Sequence, residues 1–222
     1  MLKSTDFIRE FKVDGKTDRD AEIPLLLDYV KSIKFESLLD VGAHYSGHIG
    51  YSGYAKDIRL LTKIYDGIDI LNDNITNKIL DKFYVGNAID YPLQKYDVVL
   101  CVSTIEHSGI STYKKEDPYE ERNKLFKRCL ELAKKYVWIS FPVGLEYTYP
   151  NELSIIPERQ LIEWENLTKD YKVRERFAYT QGAQAGLPHY EHTKRDVAVR
   201  IPYIDYIGNQ SLCVMEIEKL QI

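Results

Sequence analysis

No hydrophobic run in this chain is long enough to span a bilayer, and its first residues, MLKSTDFIREFKVDGKTDRD, are too charged to supply the apolar core of a signal peptide. Neither membrane insertion nor export is expected; a cytoplasmic location is. Cysteine is scarce. Cys101, Cys129 and Cys213 are odd in number and far apart, which suits neither a disulfide framework nor a metal cluster, so buried free thiols are expected. Positive charge is not in excess either, since 30 Lys and Arg stand against 34 Asp and Glu. With a net charge of −4 the chain has no general attraction for phosphate backbones or anionic lipid, and neither nucleic acid nor a membrane is an expected partner. Internal repeats, low-complexity tracts and convincing linkers are missing from the sequence, so residues 1–222 are read as one domain.

What is present is 44% hydrophobic residues, enough for one large core. The organising stretch is Ser37 to Gly47, SLLDVGAHYSG, in which a short apolar run ends in an acid and breaks into a glycine-bearing turn. Leu38, Leu39 and Val41 predict a strand buried on both faces. Before it, Asp18 or Asp20 caps a helix over Ala21 to Ile33, whose apolar face is Ile23, Leu26, Leu27, Val30 and Ile33. After it, further strands are predicted at Tyr65 to Ile70, Phe83 to Val85, Tyr96 to Val102 and Tyr136 to Phe141. Helices are predicted from Tyr54 to Ile64, Leu71 to Lys82, Pro118 to Lys135 (capped by Asp117) and Pro157 to Leu167.

Two long strands, Tyr171 to Thr180 and Ser211 to Lys219, close the chain, with further strand character at Val197 to Ile201. The pattern predicts an α/β three-layer sandwich: a mostly parallel seven-stranded sheet with one antiparallel edge strand and helices on both faces.

Open α/β sheets bind ligands outside the carboxyl ends of their strands. Here those ends carry Asp40 to His44, then Asp69 and Ile70, then Gly86 to Ala88, then Ser103 to His107. An acid ending the second strand suits a ribose diol, because one carboxylate accepts from both hydroxyls. Asp69 is that candidate, with capping of the following helix as its structural alternative.

In order and approximate spacing, DVGAHYSG, GIDI, VGNAIDYP, YDVVLCVSTIEH and WISFPVG resemble the successive motifs of class I S-adenosylmethionine-dependent methyltransferases. The likeness covers Ser37 to Gly144 and is most specific in the YDVVLCVSTIEH run. It implies a helical lead-in at residues 1–35, a cofactor-binding half at 36–144 and a substrate-side half at 145–222. S-adenosylmethionine is the implied cofactor, and the implied acceptor is a small hydroxyl- or amine-bearing molecule such as a sugar or glycan precursor. By the same resemblance Asp40, Gly42, Ala43, His44 and Gly47 form the cofactor loop. Asp69 and Ile70 hold the ribose and adenine, Asn87 and Ala88 the adenine edge, and Ser103 and Thr104 the methionine part. The loop departs from the family's Gly-x-Gly-x-Gly, and it is longer than usual around His48 to Gly53. A methyltransferase-fold protein without catalysis, or an NAD or nucleotide-sugar oxidoreductase, is the alternative reading; against the latter, no clean Gly-x-Gly-x-x-Gly is found.

Methyl transfer to a hydroxyl needs a proton acceptor beside the in-line geometry. Candidates are His107 and Glu106, then His189 and His192 in PHYEH. For the first two the alternative is a turn fixed by hydrogen bonds, and for the second two a substrate-lining loop or plain surface; no metal site is expected. Tyr147, Tyr149 and Trp164 either wall the acceptor pocket or belong to the core. Oligomeric state is not legible.

Overall fold

The computed structural model describes residues 12–14, 18–48, 53–110, 118–147, 153–180, 189–202 and 210–220. In chain order the elements are β1 (Lys12–Asp14), α1 (Asp18–Ser32), β2 (Ser37–Val41), α2 (Ala55–Arg59), β3 (Ile64–Asp69), β4 (Lys82–Val85), β5 (Tyr96–Val102), α3 (Pro118–Leu132), β6 (Ala133–Pro142), α4 (Glu158–Leu167), β7 (Tyr171–Thr180), β8 (His189–Thr193), α5 (Arg195–Ala198) and β9 (Gln210–Lys219). All strands belong to one sheet in the order β1-β8-β7-β9-β6-β5-β2-β3-β4.

From β6 through β5, β2 and β3 to β4 every pairing is parallel; from β6 outward through β9, β7, β8 and β1 every pairing is antiparallel. The sheet therefore has nine strands, not the expected seven, and β9 and β8 run against the rest from interior positions. The two additional strands are short or polar: β1 has three residues and β8 reads HYEHT. They pair with each other although far apart in the sequence, a backbone pairing for which side-chain periodicity carries no signal, and β8 pairs on its other side with β7.

Alternation along the central strands divides the core into two layers. Leu38, Val98, Leu100 and Trp138 pack with Leu26 and Val30 of α1 and Ile58 of α2. Leu39, Val99, Cys101 and Ile139 pack on the other face with Phe126 and Cys129 of α3 and Trp164 of α4. All three cysteines are buried and free. Trp164 stacks on Phe126 with centroids 4.5 Å apart and donates its indole N–H to Asn123 Oδ1 at 2.8 Å, which makes it a core residue and not an acceptor wall. Tyr149 lies outside the described residues.

Several local expectations change. The helix expected at Tyr54 to Ile64 stops at Arg59, whose guanidinium takes the Thr62 carbonyl at 3.1 Å and the Asp81 carboxylate at 3.0 Å. In place of a helix at Leu71 to Lys82 there is a single 3-10 turn, Thr76–Lys78. Asp73 causes this: its carboxylate accepts the Ile75 N–H at 2.9 Å and the Thr76 hydroxyl, giving the backbone an alternative to helical bonding. Lys134 and Lys135 belong to β6, not to the last turn of α3. The strand character at Val197 to Ile201 resolves as α5 and its exit, with Arg195 held by Glu165 and Glu175 while Ala198 and Val199 enter the core. The proposed cap Asp117 lies outside the described residues.

Candidate ligand site at the carboxyl ends of the parallel strands

A cavity of about 490 Å³ opens where β2, β3, β4 and β5 end. Its walls include Gly42 and His44 after β2, Asp69 and Ile70 at the end of β3, Asn87 and Ala88 after β4, and Ser103, Thr104 and His107 after β5. These nine come from four separate segments of the sequence and meet because parallel strands align their carboxyl ends. The volume lies within the range of small-molecule sites.

Gly42 is required by geometry: its φ is +79°, and a Cβ there would lie 2.1 Å from Thr104 Oγ1. Beyond it the loop replaces the usual glycines with bulky residues, and the backbone still bends. Tyr45 adopts φ 68°, a left-handed conformation rare for its type, while its half-exposed ring sits edge-on to His44 with centroids 3.8 Å apart. Side chains from the next crossover hold this bend. The His44 N–H donates to Asp69 Oδ2 at 3.0 Å, the Tyr45 N–H to Asp73 Oδ2 at 3.2 Å, and the Gly47 N–H to Thr76 Oγ1 at 3.1 Å. Burial alone would raise the Asp73 carboxyl, but the Thr76 hydroxyl, the His48 ring and the Ile75 and Tyr45 N–H groups outweigh it and hold the carboxyl well below its usual range. Asp73 is a site organiser that the sequence reading missed; its signal was the Asp-x-x-Thr spacing to Thr76.

Asp69 ends β3 and caps no helix. One carboxylate oxygen accepts from His44 and the other from the Leu71 N–H at 2.9 Å. Burial raises its pKa, and the N–H donors of Leu71 and His44 oppose that rise. Each oxygen keeps a further lone pair for a ligand hydroxyl. Asp40 lies beneath the loop, fully buried, where the hydroxyls of Tyr54 and Tyr65 each donate to it at 3.0 Å. Burial raises its pKa to about 6 against those two donors. Like Asp40, Ala43 and Gly47 are not among the cavity's lining residues; Ala43 is buried in the core and Gly47 packs against Thr76 and Ile79.

The proton-acceptor candidates separate. His107 and Glu106 share a 3-10 turn after β5, and only His107 faces the cavity. Glu106 is buried behind it with Oε1 3.9 Å from His107 Nε2, while its Oε2 has no hydrogen-bond partner among the described residues. Burial lifts the Glu106 carboxyl to about 8, opposed by Arg19 and Arg122. His192, on β8, lines a different groove of about 1050 Å³ with Tyr29, Arg176 and Glu216. The backbone of His189 lies in β8, and its side chain is outside the described residues.

Two residues of α1 also reach this region. Arg19 lines the cavity, and Glu22, fully buried, accepts the Ser103 hydroxyl at 2.5 Å. Burial raises Glu22 to about 7, with Asp18 adding to the rise and Arg19 and Ser103 opposing it. Ser103 has φ 41°, so the strand end that Glu22 grips is itself strained. Sequence spacing gave no hint of either residue, because an acid and a base on a helix ordinarily read as its solvated face.

Raised carboxyl pKa values have a measurable consequence. A carboxyl whose folded pKa exceeds its unfolded one binds more protons when folded, so its stability contribution is complete at acid pH and is lost as pH rises through the folded value. For Glu106 the window runs from 4.5 to about 8. Thermal unfolding followed at pH 5 and at pH 8.5 should show lower stability at the higher pH, and Glu106→Gln should flatten that slope. A slope unaltered in the variant would contradict the assignment.

No protein-family profile and no curated protein sequence matches this chain. Solved structures do. Magnesium protoporphyrin IX methyltransferase from Synechocystis PCC 6803, solved with bound S-adenosylmethionine, is 11% identical, with a TM-score of 0.52 over 91% of this chain and 80% of that one. A methyltransferase from Leishmania major, described as S-adenosylmethionine-dependent, is 13% identical, with a TM-score of 0.53 over 89% of this chain and 72% of that one. The small RNA methyltransferase HEN1 is 13% identical, with a TM-score of 0.56 over 91% of this chain but only 25% of its own length. At such identities the likeness establishes the fold, that of class I S-adenosylmethionine-dependent methyltransferases.

Proposed function

We propose that this chain transfers a methyl group from S-adenosylmethionine to a small hydroxyl- or amine-bearing acceptor, with a sugar or glycan precursor as the class to try first. The observation that carries this reading is the meeting of Gly42, Asp69, Asn87 and Thr104 around one cavity at the carboxyl ends of four parallel strands. The residues present fit such a cofactor. Asp69 retains acceptor capacity for a ribose diol, and His44, on the cavity wall, has a buried Nδ1 without a hydrogen-bond partner among the described residues. A cytoplasmic setting agrees with three buried free thiols.

When bound, the cofactor supplies a methyl group made electrophilic by its sulfonium. The chain's part is to hold and to orient. Asp69 accepts from the ribose hydroxyls, Ile70 packs on the adenine, and Asn87 and Ala88 meet the adenine edge. The strand end at Ser103 and Thr104 flanks the methionine part. His107 accepts the proton that the acceptor loses. A base so placed contributes roughly 10²- to 10⁴-fold. Among the described residues no helix is long and apolar enough to cross a membrane, so no spanning helix competes with the cavity for an interpretation.

A ligand that binds only the native state raises thermal stability with its concentration. S-adenosylhomocysteine should raise the melting temperature in a dose-dependent way, and NAD should not. Stabilisation by NAD alone would overturn the proposal in favour of an oxidoreductase. No response to either ligand would favour a fold that has lost its cofactor.

A further inference from the structure

The groove of about 1050 Å³ beside His192 is larger than the cavity at the strand ends and shares no lining residue with it. Helix α1 walls it with Leu25 and Tyr29, and strands β9, β7 and β8 form its floor. Alternation along β7 sends Lys172, Arg174 and Arg176 into the groove, opposite Glu218, Glu216 and Val214 of β9. Lys172 Nζ lies 2.8 Å from Glu218 Oε2, where both side chains are exposed. Deeper in, Arg174 Nη1 lies 3.0 Å from Glu216 Oε2, and Arg176 Nη2 lies 2.9 Å from Glu216 Oε1. His192 stands opposite Ala178, two positions beyond Arg176 on the same face of the sheet.

We infer that this groove is a second small-molecule site, for an organic anion whose carboxylate or phosphate lies on Arg174, Arg176 and His192 and whose apolar body rests against α1. The site is independent of the cofactor reading above. Charge decides the sign of the ligand. Arg174 and Arg176 share one carboxylate, so these three side chains sum to one positive charge. With Lys34, Lys172, Asp28 and Glu218 added, the described lining holds four Lys and Arg against three acids, in a chain whose overall charge is −4. Burial lowers the pKa of Arg176; Glu216 opposes that fall, the charge of Arg174 adds to it and Asp28 opposes it in turn. A guanidinium so placed gains from further negative charge, and planar carboxylate and phosphate oxygens are what it recognises best. The other side of the groove sets the rest of the ligand. There Leu25 and Tyr29 of α1 pack in one apolar cluster with Leu212 and Val214 of β9, so the groove is charged along β7 and apolar along the helix. A bare inorganic ion would use only the first of these two sides.

The test titrates three fluorescent ligands that share one ring system: 1-naphthoate, 1-naphthyl phosphate and the uncharged 1-naphthamide. On the wild-type protein the carboxylate, the phosphate or both should bind about 10-fold or more tightly than the amide, and the preferred headgroup names the anion. Arg176→Gln should weaken the preferred anion by about 10- to 100-fold, the range for charge-assisted hydrogen bonds, and leave the amide within about twofold of wild type. Arg174→Gln, at the more exposed of the two guanidiniums, should act in the same direction, and it serves in place of the first variant if that protein does not fold. Saturating S-adenosylhomocysteine should leave the anion's affinity unchanged. Equal affinity for all three ligands, no binding of either anion, or anion binding untouched by the substitutions would overturn the inference. Displacement of the anion by S-adenosylhomocysteine would place it in the other cavity and overturn the inference as well.

Discussion

Asp69→Ala should lose S-adenosylhomocysteine binding by more than about 100-fold while the protein still unfolds cooperatively. The size of the effect follows from what the carboxylate does on each side. Toward the ligand it offers the acceptor for the ribose hydroxyls, and charge-assisted hydrogen bonds of that kind contribute roughly 1.5–3 kcal/mol each. Toward the protein it holds the His44 N–H at 3.0 Å and the Leu71 N–H at 2.9 Å, so the alanine variant also frees the bend on which the cavity wall depends. Global stability should change little, because burial already raises the Asp69 carboxyl and its removal ends a desolvation cost as well as two hydrogen bonds. Asp69→Asn keeps an acceptor oxygen and should retain an intermediate affinity. Calorimetry on both variants is decisive, and wild-type affinity in Asp69→Ala would remove this residue from the ribose site.

Gly42→Ala should act on both binding and stability. A side chain at φ +79° is strained on any substrate, and the new Cβ would overlap Thr104 Oγ1 at 2.1 Å, Cγ2 at 2.3 Å and Cβ at 2.7 Å. Thr104 cannot simply rotate away, because its hydroxyl donates to the Val102 carbonyl at 2.9 Å and its own Cβ is too close. Backbone strain and overpacking together predict a loss of roughly 2–5 kcal/mol in denaturant unfolding. The end of β5 must shift with Thr104, so ligand affinity should fall as well. Thr104→Ala in the same chain removes the two closest atoms and should restore part of the stability, an interaction that a double-mutant cycle measures directly. Strict additivity of the two substitutions would contradict the contact.

These two residues were legible in the sequence, and the reason is local. An apolar five-residue strand, a glycine at the turn and an acid at the end of the next strand are each determined by neighbours within a few positions. The central parallel strands and the helices packed on both faces were readable for the same reason: Leu38 and Leu39 point to opposite layers, and both layers exist. What could not be read depends on partners distant in sequence. Strand β8 is a polar pentapeptide that pairs on one side with β7, the preceding strand of the chain, and on the other with the distant β1, and its composition says nothing of the latter.

The loop after β2 illustrates the same division. The bulky residues between Gly42 and Gly47 read as a departure from the family pattern, yet the bend survives because Asp69, Asp73 and Thr76 capture three of its N–H groups. In this way buried acceptors twenty-five to twenty-nine positions downstream do the work that glycine freedom does in the usual motif. The same limit hid Arg19 and Glu22. On α1 they look like an ordinary surface pair, and only the packing of that helix against the end of β5 brings one to the cavity and the other to Ser103.

The central claim is that one cavity at the ends of β2, β3, β4 and β5 holds the methyl donor. A crystal structure of the protein grown with S-adenosylhomocysteine tests it most directly. The account predicts the ribose on Asp69, the adenine between Ile70 and Ala88, and the homocysteine end beside Ser103. Density for the ligand in the groove beside His192, or a cavity left empty at saturating ligand, would contradict it.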